Sequence, residues 1–439
     1  MVIKHIYIKD YKNLNINWDL SHSGNIVAIL GKNASGKTNL LESIIGFSNV
    51  ADNSKNIKTN FDGEMELNID GKTIWINKNG VFQKTQVESV NRKSTKKPTE
   101  ELDIPDFLRV SVNDDYAPRF FLAQRKYTKY DKTAIRFASF NEINYGDDFI
   151  PFLLYLFCFP KESFVRKILA EEFEIEGLSP IRFGTVLKDE EIIKLQEPTR
   201  YYFDVIKQYA QITTNTELSA CSFNENDLMK LSEMFGYESD FFDAMHILLG
   251  NYYNHTSILF TYDVWFRKKN TTIRITDISD GEKQLIYILA LMTYFSNKNT
   301  ILLLDEPDTH IYPTLQMKLI DYMREINDQS QIIIATHSPY IVSSLKKEDV
   351  FYLDDGEILP VSNTKGKDIN SIMTEIFNTP IRYPETNDAI VKIYNSLGKK
   401  QLNEEEKKEI SMQINALAED LGESDYDIIT MRAILNSKS

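Results

Sequence analysis

Two hydrophobic periods alternate along the chain. Ile3, Ile6 and Ile8 mark a first strand, and Leu14, Ile16 and Trp18 alternate with polar residues along a second. Ile26-Val27-Ala28-Ile29-Leu30 is apolar without a break, as expected of a strand buried on both faces. The same pattern returns in Thr300–Leu304 and Gln331–Thr336. Met65, Leu67 and Ile69 alternate, Asp70-Gly71 supplies a favoured hairpin turn, and Thr73, Trp75 and Ile76 resume. A second such turn, Asp354-Asp355-Gly356, lies between Phe351–Leu353 and Glu357–Leu359. Short strands are expected around Leu108–Val112, Ser257–Tyr262 and Thr272–Ile275.

From about Tyr145 to Thr256 the pattern is mainly helical, with segments at Glu190–Leu195, Tyr201–Ile212 and Leu228–Met234. Long heptad repeats are absent, so this reads as a compact lobe and not a coiled coil. Phe149–Phe159 is the most apolar run. It is shorter than the roughly 20 residues of a membrane span and contains Pro151, so a buried helix is expected. Residues 84–104 are polar and read as a loop. After Asn363 the pattern is helical, with a capping box at Asn403 and Glu406 and a helix stop at Gly422. The expected architecture is therefore α/β with an inserted helical lobe and a C-terminal helical tail. Residues 1–140 and 257–362 are the two halves of one head, 141–256 the lobe and 363–439 the tail.

Composition narrows the setting. The chain has 439 residues, 42% hydrophobic and 26% charged, enough for a large core. A net charge of −14 argues against general electrostatic adhesion to DNA or membranes. The cysteines, Cys158 and Cys221, lack metal-binding spacing and read as reduced thiols. Met1–Ile6 alternates like a strand and carries no signal-peptide pattern. A cytoplasmic protein without membrane association is expected.

Gly31-Lys32-Asn33-Ala34-Ser35-Gly36-Lys37-Thr38 matches the phosphate-loop pattern at every fixed position, after an apolar strand and before a helix that continues through Asn39. Backbone N–H groups at such a turn suit phosphate oxygens, Lys37 should reach the β- and γ-phosphates, and Thr38 should ligate Mg²⁺. Asp305 ends an apolar strand, at the sheet edge where ligands bind, and should help Thr38 hold Mg²⁺. Glu306 can polarise the attacking water. His337 ends the next strand, one crossover away, so the two strands should be neighbours and His337 should face the γ-phosphate. Ser279-Asp280-Gly281-Glu282 opens a helix whose Ser hydroxyl and glycine N–H form an anion-binding surface. Ser279 with Glu282 is also an ordinary capping box, and both readings can hold together.

The order phosphate loop, signature, Asp-Glu strand, His resembles the ABC/SMC-type ATPase head. The resemblance covers about 1–80 and 255–360 and implies a P-loop NTPase fold of the ABC-ATPase type, hydrolysis of ATP with Mg²⁺, and a homodimer or higher homo-oligomer. In such a dimer, Ser279, Gly281 and Glu282 of one copy would meet the nucleotide of the other. Tyr11-Lys12-Asn13-Leu14, Asp280 in the signature, and the run Asp305–Pro313 are similar to RecF- and OLD-type soluble ATPases more than to transporter subunits. The tail lacks the acidic constellation that a nuclease would need. Asp368–Phe377, Arg382, and Gly422 before Asp425-Tyr426-Asp427 look like the tail of the ATPase subunit (PtuA) of Septu-type and of retron-linked antiviral defence systems. That resemblance implies a regulatory ATPase accompanying a separate HNH-type nuclease.

Arg119, Arg125, Lys126, Lys129, Lys132 and Arg136, interleaved with Phe120, Phe121, Tyr127 and Tyr130, suit a nucleic-acid backbone and bases. A protein-partner surface and a plain solvated face are the alternatives. Two further readings of the whole chain stay open: an SMC/RecF-like repair ATPase that binds DNA directly, and a scaffold locked by ATP with slow hydrolysis.

Overall fold

The computed structural model describes residues 2–52, 63–77, 80–84, 133–139, 153–154, 156–157, 163–185, 187–195, 199–215, 218, 221–235, 241, 244–245, 248, 259–261, 264–295, 299–399 and 402–437. They fall into two compact units, Met1–Gly366 and Lys367–Ser439. The expected strand at Leu108–Val112, most of the polar 84–104 run and the basic residues Arg119 to Lys132 lie outside the described residues.

The first unit opens with β1 (Ile3–Tyr11), β2 (Leu14–Asp19) and β3 (Ile26–Leu30), followed by α1 (Lys37–Asp52). β4 (Glu64–Ile69), β5 (Lys72–Asn77), β6 (Gly80–Lys84) and β7 (Thr133–Ser139) come next. The middle stretch holds α2 (Ser163–Phe173), β8 (Ile175–Leu178), β9 (Ile181–Thr185), α3 (Asp189–Ile192), α4 (Thr199–Thr214), β10 (Cys221–Phe223) and α5 (Glu225–Phe235). After β11 (Leu259–Thr261), β12 (Trp265–Lys268) and β13 (Thr271–Arg274) come α6 (Asp280–Phe295), β14 (Asn299–Asp305), α7 (Pro313–Ile326) and β15 (Gln331–Ala335). The unit closes with α8 (Pro339–Ser344), β16 (Val350–Asp354) and β17 (Glu357–Pro360).

The central sheet has the order β17-β16-β3-β15-β14-β7. All its pairs are parallel except the β16–β17 hairpin. Every residue of β3 and β15 is buried, which accounts for the unbroken apolar sequence of β3 and for Ile332–Ala335 of β15. A second, antiparallel sheet runs β2-β1-β4-β5-β6. One core joins the two sheets: Ile6, Ile8, Ile16 and Trp18 pack in a cluster with Val27, Leu40, Leu41, Leu303 and Ile333. A polar clasp reinforces it, because buried Gln331 accepts from the Ile3 N–H at 2.7 Å and donates to the Ile3 carbonyl at 3.0 Å. Both expected hairpin turns form with left-handed backbone, at Asp70-Gly71 (φ 50° and 82°) and Asp355-Gly356 (φ 45° and 81°).

The middle stretch departs from the mainly helical expectation. It also carries β8, β9 and β10, in two small sheets ordered β13-β12-β8 and β10-β9-β11. The expected border at residue 256 therefore cuts through both sheets. These strands are three to five residues long, too short to display a period, and their partners are remote in sequence. The apolar run was expected to be a buried helix; its described residues Leu153, Leu154, Leu156 and Phe157 are helical and at most 1% exposed. Among the described residues, no helix is long and apolar enough to cross a membrane.

The second unit is helical: α9 (Ile369–Glu375), α10 (Pro384–Leu397), α11 (Glu404–Leu421) and α12 (Tyr426–Ser437). Ile390, Ile393, Leu397, Ile410, Ile414 and Ile428 form its core. α11 begins with the reciprocal Asn403–Glu406 capping box and stops at Gly422, φ 87°. Arg382 Nη2 donates to Asp425 Oδ1 at 2.9 Å and to Asp427 Oδ2 at 2.7 Å, and the Tyr394 hydroxyl donates to Asp427 Oδ1 at 3.0 Å. This four-residue cluster ties the segment before α10, and Tyr394 within α10, to the start of α12. Replacing Arg382 with Ala should destabilise the unit by about 2 kcal/mol, because partly buried acceptors lose a charged donor. Denaturant unfolding monitored at probes within 367–439 measures it.

Candidate nucleotide site

Strand register builds the site. Asp305 on β14 pairs with Ala335 on β15, and Ala335 pairs with Ile29 on β3. The carboxyl ends of three neighbouring parallel strands thus align at one sheet edge, the usual ligand edge of open α/β folds. Gly31, Asp305 with Glu306, and His337 are the residues that leave the sheet there.

The loop from Gly31 to Thr38 is tightly determined. A Cβ on Gly31 would lie 2.5 Å from Ser35 Oγ and 2.6 Å from the Leu353 carbonyl. Ala34 (φ 62°) and Gly36 (φ 98°) take left-handed conformations, and the Ser35 N–H donates to the Lys32 carbonyl at 3.1 Å. Leu40 N–H then donates to the Gly36 carbonyl at 2.8 Å, which starts α1. Asn33 and Ala34 are exposed at the loop crest, and Asn39 is half-buried on the first turn of α1.

Lys37 is buried, and its ammonium turns back to the carbonyls of Gly31 (3.2 Å) and Lys32 (3.4 Å) and to His337 Nε2 (2.6 Å). Thr38 Oγ1 donates to Asp305 Oδ2 at 2.8 Å. The other oxygen, Asp305 Oδ1, is buried and has no hydrogen-bond partner among the described residues. An orphaned carboxylate oxygen beside a threonine hydroxyl is a hard-oxygen pair that fits Mg²⁺. Glu306 adopts φ 53°, an unusual backbone for a non-glycine residue, fixed by its N–H donating to the Ala335 carbonyl at 2.8 Å. Its Oε1 lies 3.3 Å from His337 Nε2.

Burial dominates the electrostatics. It pushes the Glu306 carboxyl up to about 7, helped by nearby Asp308 and opposed by Lys37. It raises Asp305 against the pull of the Thr38 hydroxyl, and it lowers Lys37 against three neighbouring carboxylates. It drives His337 down to about 4, with the Lys37 charge adding to the shift. His337 is therefore neutral at pH 7, and its Nε2 accepts from Lys37.

Ser279, Gly281 and Glu282 form a second cluster. Ser279 N–H and Oγ both donate to Glu282 Oε2 at 2.9 Å, and the Glu282 N–H returns to Ser279 Oγ at 3.3 Å, so the expected capping box is present. Gly281 packs against the His310 carbonyl, where a Cβ would collide. Buried Gln284 donates to the Pro307 carbonyl at 3.1 Å. The signature helix is thus braced on the segment after Glu306.

The residue patterns did not single out the roles of Asp308, Gln316, Thr336 and Ser338. Thr336 Oγ1 donates to Asp308 Oδ1 at 2.5 Å and accepts from Ser338 N–H at 2.9 Å. Gln316 Nε2 donates to the carbonyls of Asp308 (3.0 Å) and Ile311 (2.8 Å), and Ser338 Oγ donates to Gln316 Oε1 at 2.6 Å. An Asp three places beyond the metal-edge Asp305 was the available signal. Of the basic run, only the backbone of Arg136 is described, in β7 opposite Leu302.

A phosphate loop after a central parallel strand, Asp-Glu on a second, His on a third and a braced Ser-Asp-Gly-Glu helix start define a P-loop NTPase of the ABC-ATPase type. Residues 26–343 match the family described as "AAA domain, putative AbiEii toxin, Type IV TA system", and the chain belongs to that family. It is 22% identical over 203 residues to the "Retron Ec83 probable ATPase" of Escherichia coli, a match covering 43% of this chain and 37% of that protein. It is 24% identical over 162 residues to "Septu protein PtuA" of Bacillus mycoides, covering 34% of this chain and 23% of that protein. The matched segments are therefore well under half of those relatives' own length. Among solved structures, the SMC head domain from Thermotoga maritima aligns at 13% identity and TM-score 0.35, over 82% of this chain and 100% of that one.

The His337 imidazole should titrate near 4 in the nucleotide-free protein, against an ordinary 6.5. Lys37→Gln should move this value upward by removing one of its two causes. NMR titration of the ring C–H resonance reads both shifts; an unshifted value near 6.5 contradicts the packing.

Proposed function

We propose that this chain is a cytoplasmic, ATP-hydrolysing switch of the ABC/SMC type in which two copies enclose two ATP molecules. The reading rests on the grip of the signature helix on the Pro307–Ile311 segment. That grip ties an anion-binding helix start to the strand end carrying Asp305 and Glu306. Lys37 and the loop N–H groups bind the phosphates. Thr38 and Asp305 hold Mg²⁺, which supplies positive charge against the β- and γ-phosphates. Glu306 orients and deprotonates the attacking water, and neutral His337 contacts the γ-phosphate. Ser279 and Gly281 of one copy complete the site of the other.

The names of its relatives support a place beside the retron ATPases and Septu protein PtuA. By that kinship the switch controls a separate effector, a nuclease of the HNH type, in antiviral defence. The DNA-binding repair reading depends on the Arg119–Arg136 run, which lies mostly outside the described residues.

Specific ATP turnover should rise with protein concentration and saturate, because each site needs two copies. Lys37→Ala should abolish nucleotide binding. Ser279→Arg should leave binding to the isolated copy intact while reducing turnover by about 10²-fold or more. Turnover that is flat in concentration, or full activity of the Ser279→Arg chain, overturns the shared site. If Glu306→Gln keeps effector control in cells while Lys37→Ala loses it, the ATP-locked scaffold reading prevails.

A further inference from the structure

Glu282 presents an electrostatic problem to the shared site. Its carboxylate stands at the helix start that is to receive a triphosphate, and it already accepts both the N–H and the hydroxyl proton of Ser279. A free carboxylate there repels the incoming phosphates, and it keeps the Ser279 proton within its own chain. The described structure places one cation against it. Lys268 Nζ lies 3.3 Å from Glu282 Oε1, with both side chains about one-fifth exposed, at 21% and 19%. Ordinary surface pairs are far more open than this and correspondingly weak.

Lys268 comes from outside the signature. It ends β12, faces Thr271 in the β12–β13 hairpin, and pairs through its backbone with Ile175 of β8. β8 directly follows α2, whose Glu172 accepts from Lys318 and from the Tyr322 hydroxyl of α7, the latter at 2.8 Å. The small sheet, together with the helix α2 that leads into it, therefore reaches the nucleotide head at two places. One is the helix after Asp305-Glu306, and the other is the signature carboxylate.

We propose that Lys268 is a positioning residue of the shared site. It neutralises Glu282 and holds it in place, so that Ser279 can turn its hydroxyl from Glu282 to the γ-phosphate carried by a second copy. After that turn, Glu282 still accepts the Ser279 N–H and the Lys268 ammonium, so the helix start stays ordered. Because Lys268 rides on β12, a shift of the β13-β12-β8 sheet withdraws or restores the neutralising charge. The middle stretch thereby gates association of the two heads. The inference rests on the shared-site reading above.

The test uses the full chain carrying Glu306→Gln, which slows hydrolysis and accumulates the ATP-bound pair. ATP-driven association is followed by sedimentation, and nucleotide affinity of the dilute single copy by a fluorescent ATP analogue. Adding Lys268→Met should weaken association about tenfold. Affinity of the single copy should stay within about twofold, because Lys268 touches no residue of the phosphate loop. Adding Glu282→Gln to the Lys268→Met chain should restore association, since the uncompensated charge is then gone. A merely structural role would not be rescued by removing the partner's charge. Association unchanged by Lys268→Met, or unrescued by Glu282→Gln, overturns the inference. A parent Glu306→Gln chain that does not associate with ATP overturns the shared-site reading and this inference with it.

Discussion

The parallel register of β3, β15 and β14 is the constraint on which the site depends. Side chains on a strand alternate faces, so a slip of one residue would send each side chain to the opposite face and misplace every residue leaving the sheet. Burial on both faces makes such a slip costly, since Val27, Ile29, Ile301, Leu303 and Ile333 share one core with the antiparallel sheet. The Gln331–Ile3 clasp ties the opposite end of β15 to β1 of the antiparallel sheet. The geometry of the candidate site is thus a consequence of core packing. The phosphate loop, Asp305 and His337 meet because Ile29, Ala335 and Asp305 sit level in adjacent strands.

That convergence brings mutually unfavourable charges together. Asp305, Glu306 and Asp308 lie around one buried lysine, and burial raises all three carboxyls while lowering the lysine. Burial is the first cause at every one of these groups, ahead of the charges that face them. A site built in this way is primed for a ligand that brings both anionic phosphate and a divalent cation. Phosphate would draw Lys37 away from His337, and the cation would satisfy the orphaned Asp305 Oδ1. The left-handed backbone of Glu306 fits the same picture, as strain is tolerated where neighbouring hydrogen bonds over-determine the chain.

Much of this was legible in the sequence because the signals were local. β3 and most of β15 showed as apolar runs, the loop as a spaced glycine-lysine motif, and both tight hairpins as Asp-Gly. The Ser279–Glu282 capping box was also readable, since its two members are three residues apart. What stayed hidden was long-range. The strands of the middle stretch are too short to reveal a period, and β8 finds its partner β12 far along the chain. No sequence pattern singled out Lys268, whose contact with Glu282 arises only because β12 delivers it there. Asp308 likewise looked like part of a motif, whereas its carboxylate reaches across to Thr336.

The polar lattice around Asp308 decides how such an assembly can move. Gln284 binds Pro307, Gln316 binds Asp308 and Ile311, Ser338 binds Gln316, and Thr336 binds Asp308. Most of these groups are buried, so parting any one of them leaves an unpaired polar atom at a cost of about 1–3 kcal/mol. Small displacements cannot break several such bonds together. The start of α6, the segment after Glu306 and the start of α8 after His337 are therefore expected to shift as one body. A pull on the signature through Lys268 would then reach Glu306 and His337 without any separate relay. The small sheet is tied to that block by the chain itself, which runs from β13 through Ile275–Asp277 into α6, and by the Lys268–Glu282 pair. A displacement of that sheet is therefore expected to reach the nucleotide edge through the same stiff block, with no bond of the lattice parted on the way.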